Sequence, residues 1–68
     1  MTLIWMRQCW HGEVRVVALS SGSYLLTRGL RGGMPVQYEF RDRQVAVARG
    51  RAWAEANLPK SADEWKEL

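Results

Sequence analysis

Between Glu13 and Phe40 the chain switches face at almost every residue and stops only at "SSGS" and "RGG"; then, from Arg43 onward, it becomes alanine-rich and helical in character. Consecutive strand-like runs with short connections, followed by one helical segment, leave few folds open. The cheapest is an antiparallel meander covered by a single helix. Strand one is expected over residues 2–10, closed by the glycine of "HGE". Strand two, "EVRVVAL" (13–19), places Val14, Val16 and Ala18 on one face and Arg15, Val17 and Leu19 on the other. Strand three (23–31) groups Tyr24, Leu26, Arg28 and Leu30. Strand four (34–40) turns Met34, Val36, Tyr38 and Phe40 inward, with Pro35 at an edge or facing solvent because proline cannot donate to a ladder.

Asp42 is a good N-cap, and the segment 43–57 has no proline until "LP" at 58–59 stops it. A helical wheel puts Ala46, Gly50, Trp53, Ala54 and Asn57 on one side, so the helix is expected to approach the sheet closely at Gly50 and to anchor through Trp53. "SADE" at 61–64 reads as a capping box. It predicts a short last helix over 62–67, with Ser61 as N-cap and with Trp65 and Leu68 presented to the body or a partner. The expected architecture is therefore α+β: three or four antiparallel strands, one main helix and a short C-terminal helix, in one domain spanning residues 1–68.

Size and composition bound the function. A chain of 68 residues has little core, so self-association is one way to gain burial. Its 47% apolar content and four tryptophans are those of a globular chain, and its apolar runs are too short to span a membrane. The opening "MTLIWMRQCWHGE" carries no signal-peptide pattern and is expected to belong to the fold. A single Cys9 excludes an internal disulfide and suits a reducing cytoplasm.

No catalytic constellation is visible. Cys9 and His11 are the only soft ligands, whereas a structural zinc site wants four, so no metal and no cofactor are expected. "GLRGG" lies between strands and lacks the helix dipole of a phosphate loop. The carboxylates Glu13, Glu39, Asp42 and Glu55 are scattered. No small-molecule substrate is implied, and a non-catalytic binding module is the reading that remains.

Two partners are open on the residues alone. Strands one to three are apolar on both faces, and one helix covers one face. Val17, Leu19 and Leu25, with Trp65, are accordingly the candidate interface for a protein partner or a second copy. Against this, residues 1–56 hold eight arginines and four acids, and arginine forks suit phosphate. Arg15, Arg28, Arg31, Arg41 and Arg43 are the candidate nucleic-acid contacts.

The run "FRDRQVAVARG" resembles the sheet-to-helix junction of the three-stranded DNA-binding domains of phage integrases and ethylene-response factors, and of small bacterial strand-strand-strand-helix proteins. The resemblance covers about 15 residues. It implies a sheet that enters the major groove, with Arg15, Thr27 and Gln37 on the outward face. The sequence departs from that pattern in its fourth strand and in placing Val17, Leu19 and Leu25 on the same face, which suits a protein contact better. A free-standing domain of this kind would serve a phage or mobile element as an inhibitor or accessory factor.

Overall fold

The computed structural model describes residues 1–60 in full and the backbone of residues 63–66. Among the described residues, five antiparallel strands and one helix follow in the order β1 (Thr2–Cys9), β2 (Gly12–Ala18), β3 (Tyr24–Leu30), β4 (Val36–Phe40), α1 (Arg43–Asn57) and β5 (Asp63–Lys66). The sheet order is β4-β3-β2-β1-β5. The first four strands are thus a meander, and the chain then crosses by way of α1 to the opposite edge. Tight turns join the hairpins, with Gly22 (φ 92°) and Gly32 (φ 82°) in the left-handed region that glycine adopts without a Cβ clash.

The expected C-terminal helix over 62–67 is not formed. Asp63–Lys66 instead pairs antiparallel with β1, Trp65 opposite Met6 and Glu64 opposite Arg7. A four-residue helix gains little on its own, whereas a strand beside β1 satisfies an open edge of the sheet. Ser61 and Leu68, the other residues of that expectation, lie outside the described residues.

The main helix starts and stops where local chemistry dictates. Asp42 is extended (φ −109°, ψ 120°), and its Oδ1 accepts from the backbone N–H groups of Gln44 (2.8 Å) and Val45 (3.3 Å). At the other end the Leu58 N–H donates to the Ala54 carbonyl at 2.7 Å before Pro59 ends the run. Ala46, Gly50 and Ala54, four residues apart, are the buried stripe of α1.

The core that this stripe covers consists of Ile4, Trp5, Val14, Val16, Leu26 and Leu58. Trp5, at 1% exposure, is its largest side chain. The tryptophan under the helix is therefore Trp5 of β1, and Trp53, expected to be the anchor, is only half-buried at the margin. Strict alternation along β1 would place Leu3 and Trp5 on one face and Ile4 on the other. A β-bulge between Leu3 and Trp5 changes this: Leu3 pairs with Val17 and Trp5 with Val16, so Ile4 is the extra residue. Ile4 and Trp5 are consequently both buried, and Leu3 joins the face away from the helix.

One helix is about 10 Å wide, and strands lie about 4.8 Å apart, so α1 covers little more than two strands. It packs chiefly on β2 and β3. The helix-side row of β4 extends beyond its cover: Met34, just ahead of the strand, is 86% exposed, Val36 40% and Tyr38 45%, and of the four residues expected inward only Phe40 is half-buried.

Candidate interaction surfaces

The side of the sheet away from α1 is built in rows fixed by strand register. Leu3, Val17 and Leu25 stand opposite one another across β1, β2 and β3, with Glu39 of β4 completing the row. All three apolar members are half-buried by their neighbours in the sheet, as is Leu19, which lies two residues beyond Val17. The next row is Met6, Arg15, Thr27 and Gln37. Arg15 is held by Glu13 of the same strand, Nη2 to Oε2 at 2.9 Å. The expected interface residues Val17, Leu19 and Leu25 therefore lie together, and Leu3 and Met6 extend them. Trp65 is placed in register with Met6, and its side chain lies outside the described residues.

The five arginines singled out as nucleic-acid contacts do not share one face. Arg15 lies on the open sheet side, paired with Glu13. Arg41 and Arg43 are exposed at the entry to α1, where Arg43 borders a hollow lined by Ile4, Trp5, Val47 and Arg51. Arg28 lines a cleft on the helix side, and Arg31 lies at the end of the sheet beside Trp10, where it also borders a hollow lined by Glu13, Arg15 and Thr27.

On the helix side, the gap between β4 and α1 is a cleft of about 350 Å³ lined by Leu26, Arg28, Tyr38, Phe40, Arg49 and Trp53. Arg28 occupies its wall with its guanidinium 5.3 Å from the Tyr38 ring centroid and 5.4 Å from that of Trp53, and it donates to the Tyr38 hydroxyl at 3.1 Å. The register explains the meeting. Arg28 stands opposite Val36 and Leu26 opposite Tyr38, so Arg28 and Tyr38 are diagonal neighbours on the helix side.

At the adjoining end of the sheet, Arg31 stacks on Trp10 with 3.9 Å between the guanidinium carbon and the ring centroid, and His11 meets the same ring edge-on at 5.4 Å. The Arg31 N–H donates to the His11 carbonyl at 2.7 Å, which ties the two turns together. Trp10 remains 70% exposed. Sequence reasoning missed Tyr38, Arg49, Trp53 and Trp10 as members of a surface. The available signal was the repeated pairing of an arginine with an aromatic, but it becomes visible only once β3 and β4 are in register.

Cys9 is half-buried, and its Sγ accepts the His11 backbone N–H at 3.3 Å. Among the described residues no group of three or more His, Cys, Asp or Glu side chains converges, and no helix is long and apolar enough to cross a membrane. Compared with known proteins, the chain matches no family model, no curated protein and no solved structure.

Proposed function

We propose that this chain is a non-catalytic protein-interaction module of the reducing cytoplasm that associates with a second copy of itself through the open sheet face. The observation that supports it is the apolar row Leu3, Val17 and Leu25, extended by Leu19 and Met6, over which no described element lies. Burying such a surface is favourable by roughly 25 cal/mol per Å².

A second copy fits the dimensions and the charge. Strands of 8, 7, 7, 5 and 4 residues make a face of roughly 490 Å², so two such faces would bury in total about 1,000 Å², at the lower bound for a specific interface. Arg15 is already neutralised by Glu13, so the middle of the face does not repel its own image across a two-fold axis. Two packed sheets would also give a chain of 68 residues a second core layer.

Sedimentation equilibrium across micromolar concentrations tests the reading. The parent is expected to approach twice the monomer mass. Leu25→Lys and Val17→Lys should remain folded and monomeric, because each charge is desolvated only in the pair. A parent that stays monomeric at high concentration removes the second copy as occupant. Lysine variants that unfold would mean that the row is interior.

A further inference from the structure

The outer strand β4 keeps one backbone edge free, and the hydrogen bonds of the hairpins settle which residues present it. The β2–β3 hairpin is bonded at both ends through odd-numbered residues. The Leu19 N–H donates to the Ser23 carbonyl at 2.9 Å, and the Arg31 N–H to the His11 carbonyl at 2.7 Å. The register between these pairs is unbroken, and antiparallel ladders alternate bonded and non-bonded pairs. Odd-numbered residues of β3 therefore bond to β2, while Tyr24, Leu26 and Arg28 bond to Phe40, Tyr38 and Val36. The backbone N–H and C=O groups of Gln37 and Glu39 are left pointing outward from the terminal strand of the sheet. Pro35 has the same parity, so the donor it lacks is one that would have faced this open edge.

The two sides of the edge differ in charge. On the helix side Val36 and Tyr38 are exposed, with Arg28 and Arg49 behind them in the cleft. Neither arginine is in an ion pair with a described residue. Arg28 leans across β4 to the Tyr38 hydroxyl, which uses one of its five N–H donors and leaves the rest of the fork for an anion. On the opposite side the same strand shows Gln37 and the carboxylate of Glu39.

We propose that β4 takes up an extended acidic segment of a partner protein as an added strand. Its carboxylates meet Arg28 and Arg49 on the helix side, an apolar side chain between them rests against Tyr38, and a basic residue lies across from Glu39. A residue added opposite Val36 joins the row of Arg28, two strand spacings or about 10 Å away, a gap that a glutamate and the leaning arginine close between them. Main-chain bonds at Gln37 and Glu39 supply affinity, and the alternating side chains supply selectivity. A second copy paired through its own β4 would bring Val36, Tyr38 and Phe40 to the helix side, with no carboxylate among them. It would also set another Arg28 and Arg49 across the seam from the first. Charge complementarity thus selects an acidic strand from another protein.

The test is a heteronuclear NMR titration of the full chain with the end-capped peptide Thr-Glu-Lys-Val-Thr-Glu-Thr. Its glutamates and valine share one face, and in antiparallel pairing its lysine and central threonine lie opposite Glu39 and Gln37. Saturable shifts are expected in β4 and on the neighbouring surface of α1. Amide exchange at Gln37 and Glu39 should slow at least about tenfold, whereas Tyr38, bonded to β3, is protected already. N-methylating the lysine and the central threonine removes the N–H groups that meet β4 and should abolish binding. N-methylating the valine, whose N–H points away, should leave it within about threefold. Glutamine in place of both glutamates should weaken binding about fivefold, and Arg49→Ala, an exposed change, about threefold with the unfolding midpoint at the parent's value.

The proposal is overturned by absence of shifts in β4 at millimolar peptide, by equal binding of the two N-methylated forms, or by shifts at Val17 and Leu25 instead of β4. It is equally overturned if the glutamine peptide and Arg49→Ala both bind as the parent pair does. Amides of Gln37 and Glu39 that are protected without peptide, and more so as protein concentration rises, would assign the edge to a second copy and also overturn it. The readouts lie on β4 and α1, so they stand apart from whether Val17 and Leu25 form a dimer face.

Discussion

A methyl group placed on Gly50 would come within 2.7 Å of the Trp5 ring, at Cζ3. Helix and sheet are in contact there with no room between them, and Trp5 is enclosed on its other sides by the core. Alanine is favoured over glycine by about 1 kcal/mol in an open helix, but here it must displace either the helix or the indole. Gly50→Ala is therefore expected to destabilise by roughly 1–3 kcal/mol, read as a lower urea midpoint with an unchanged slope. A stabilised variant would show that α1 is not seated on Trp5.

The two tryptophans near the helix should separate sharply in the same measurement. Trp5→Ala removes a buried aromatic and should cost about 3–5 kcal/mol, enough to unfold much of so small a chain. Trp53→Ala acts at the margin of the core, where the side chain is half exposed, and should cost well under half of that. Equal losses would mean that both rings are core.

Charge substitution distinguishes the bulge from a regular strand. Strict alternation gives Ile4 and Met6 the same environment. With the bulge, Ile4 lies in the core and Met6 on the open face. Ile4→Lys should abolish the folded state by burying an unpaired charge, whereas Met6→Lys should retain the parent circular dichroism and weaken only self-association. Two variants that both fold would rule out the bulge.

The cap of α1 offers a smaller and cleaner effect. Asp42→Ala leaves two backbone N–H groups without their acceptor and should cost about 1 kcal/mol, while Asp42→Ser should restore most of it. In a domain of this length a loss of that size lowers the thermal midpoint by roughly 4–8 °C. No change on removing the carboxylate would show that the first turn is held by other contacts.

Local chemistry decided what could be read from the residues in advance. The helix from Arg43 to Asn57 was legible at both ends because Asp42 and Leu58-Pro59 act on their immediate neighbours. The first four strands were legible to within two or three residues, since alternation and turn glycines are also local signals. What was not legible depended on distant partners. Asp63–Lys66 carries a helix-start pattern, yet the open edge of β1 determined its state. The choice of Trp5 over Trp53 as core residue depended on which strands α1 covers, and the bulge at Ile4 depended on the pairing with β2. For the surfaces, Val17 and Leu25 followed from alternation and their joining with Leu3 did not. The Arg28 cleft required the β3–β4 register, which no single segment contains.

The strand order has a consequence for how the molecule comes into being. Trp5 stands opposite Lys66, so the pairing that completes the sheet joins positions about 60 residues apart, while every other strand pair is a hairpin. As the chain emerges during synthesis, β1 to β4 can zip together in sequence and α1 can settle on them, but the outer side of β1 has no neighbour until Asp63–Lys66 has been made. For that interval the flank opposite β4 is the eight-residue strand that contains Ile4 and Trp5, and only afterwards is it the four-residue β5.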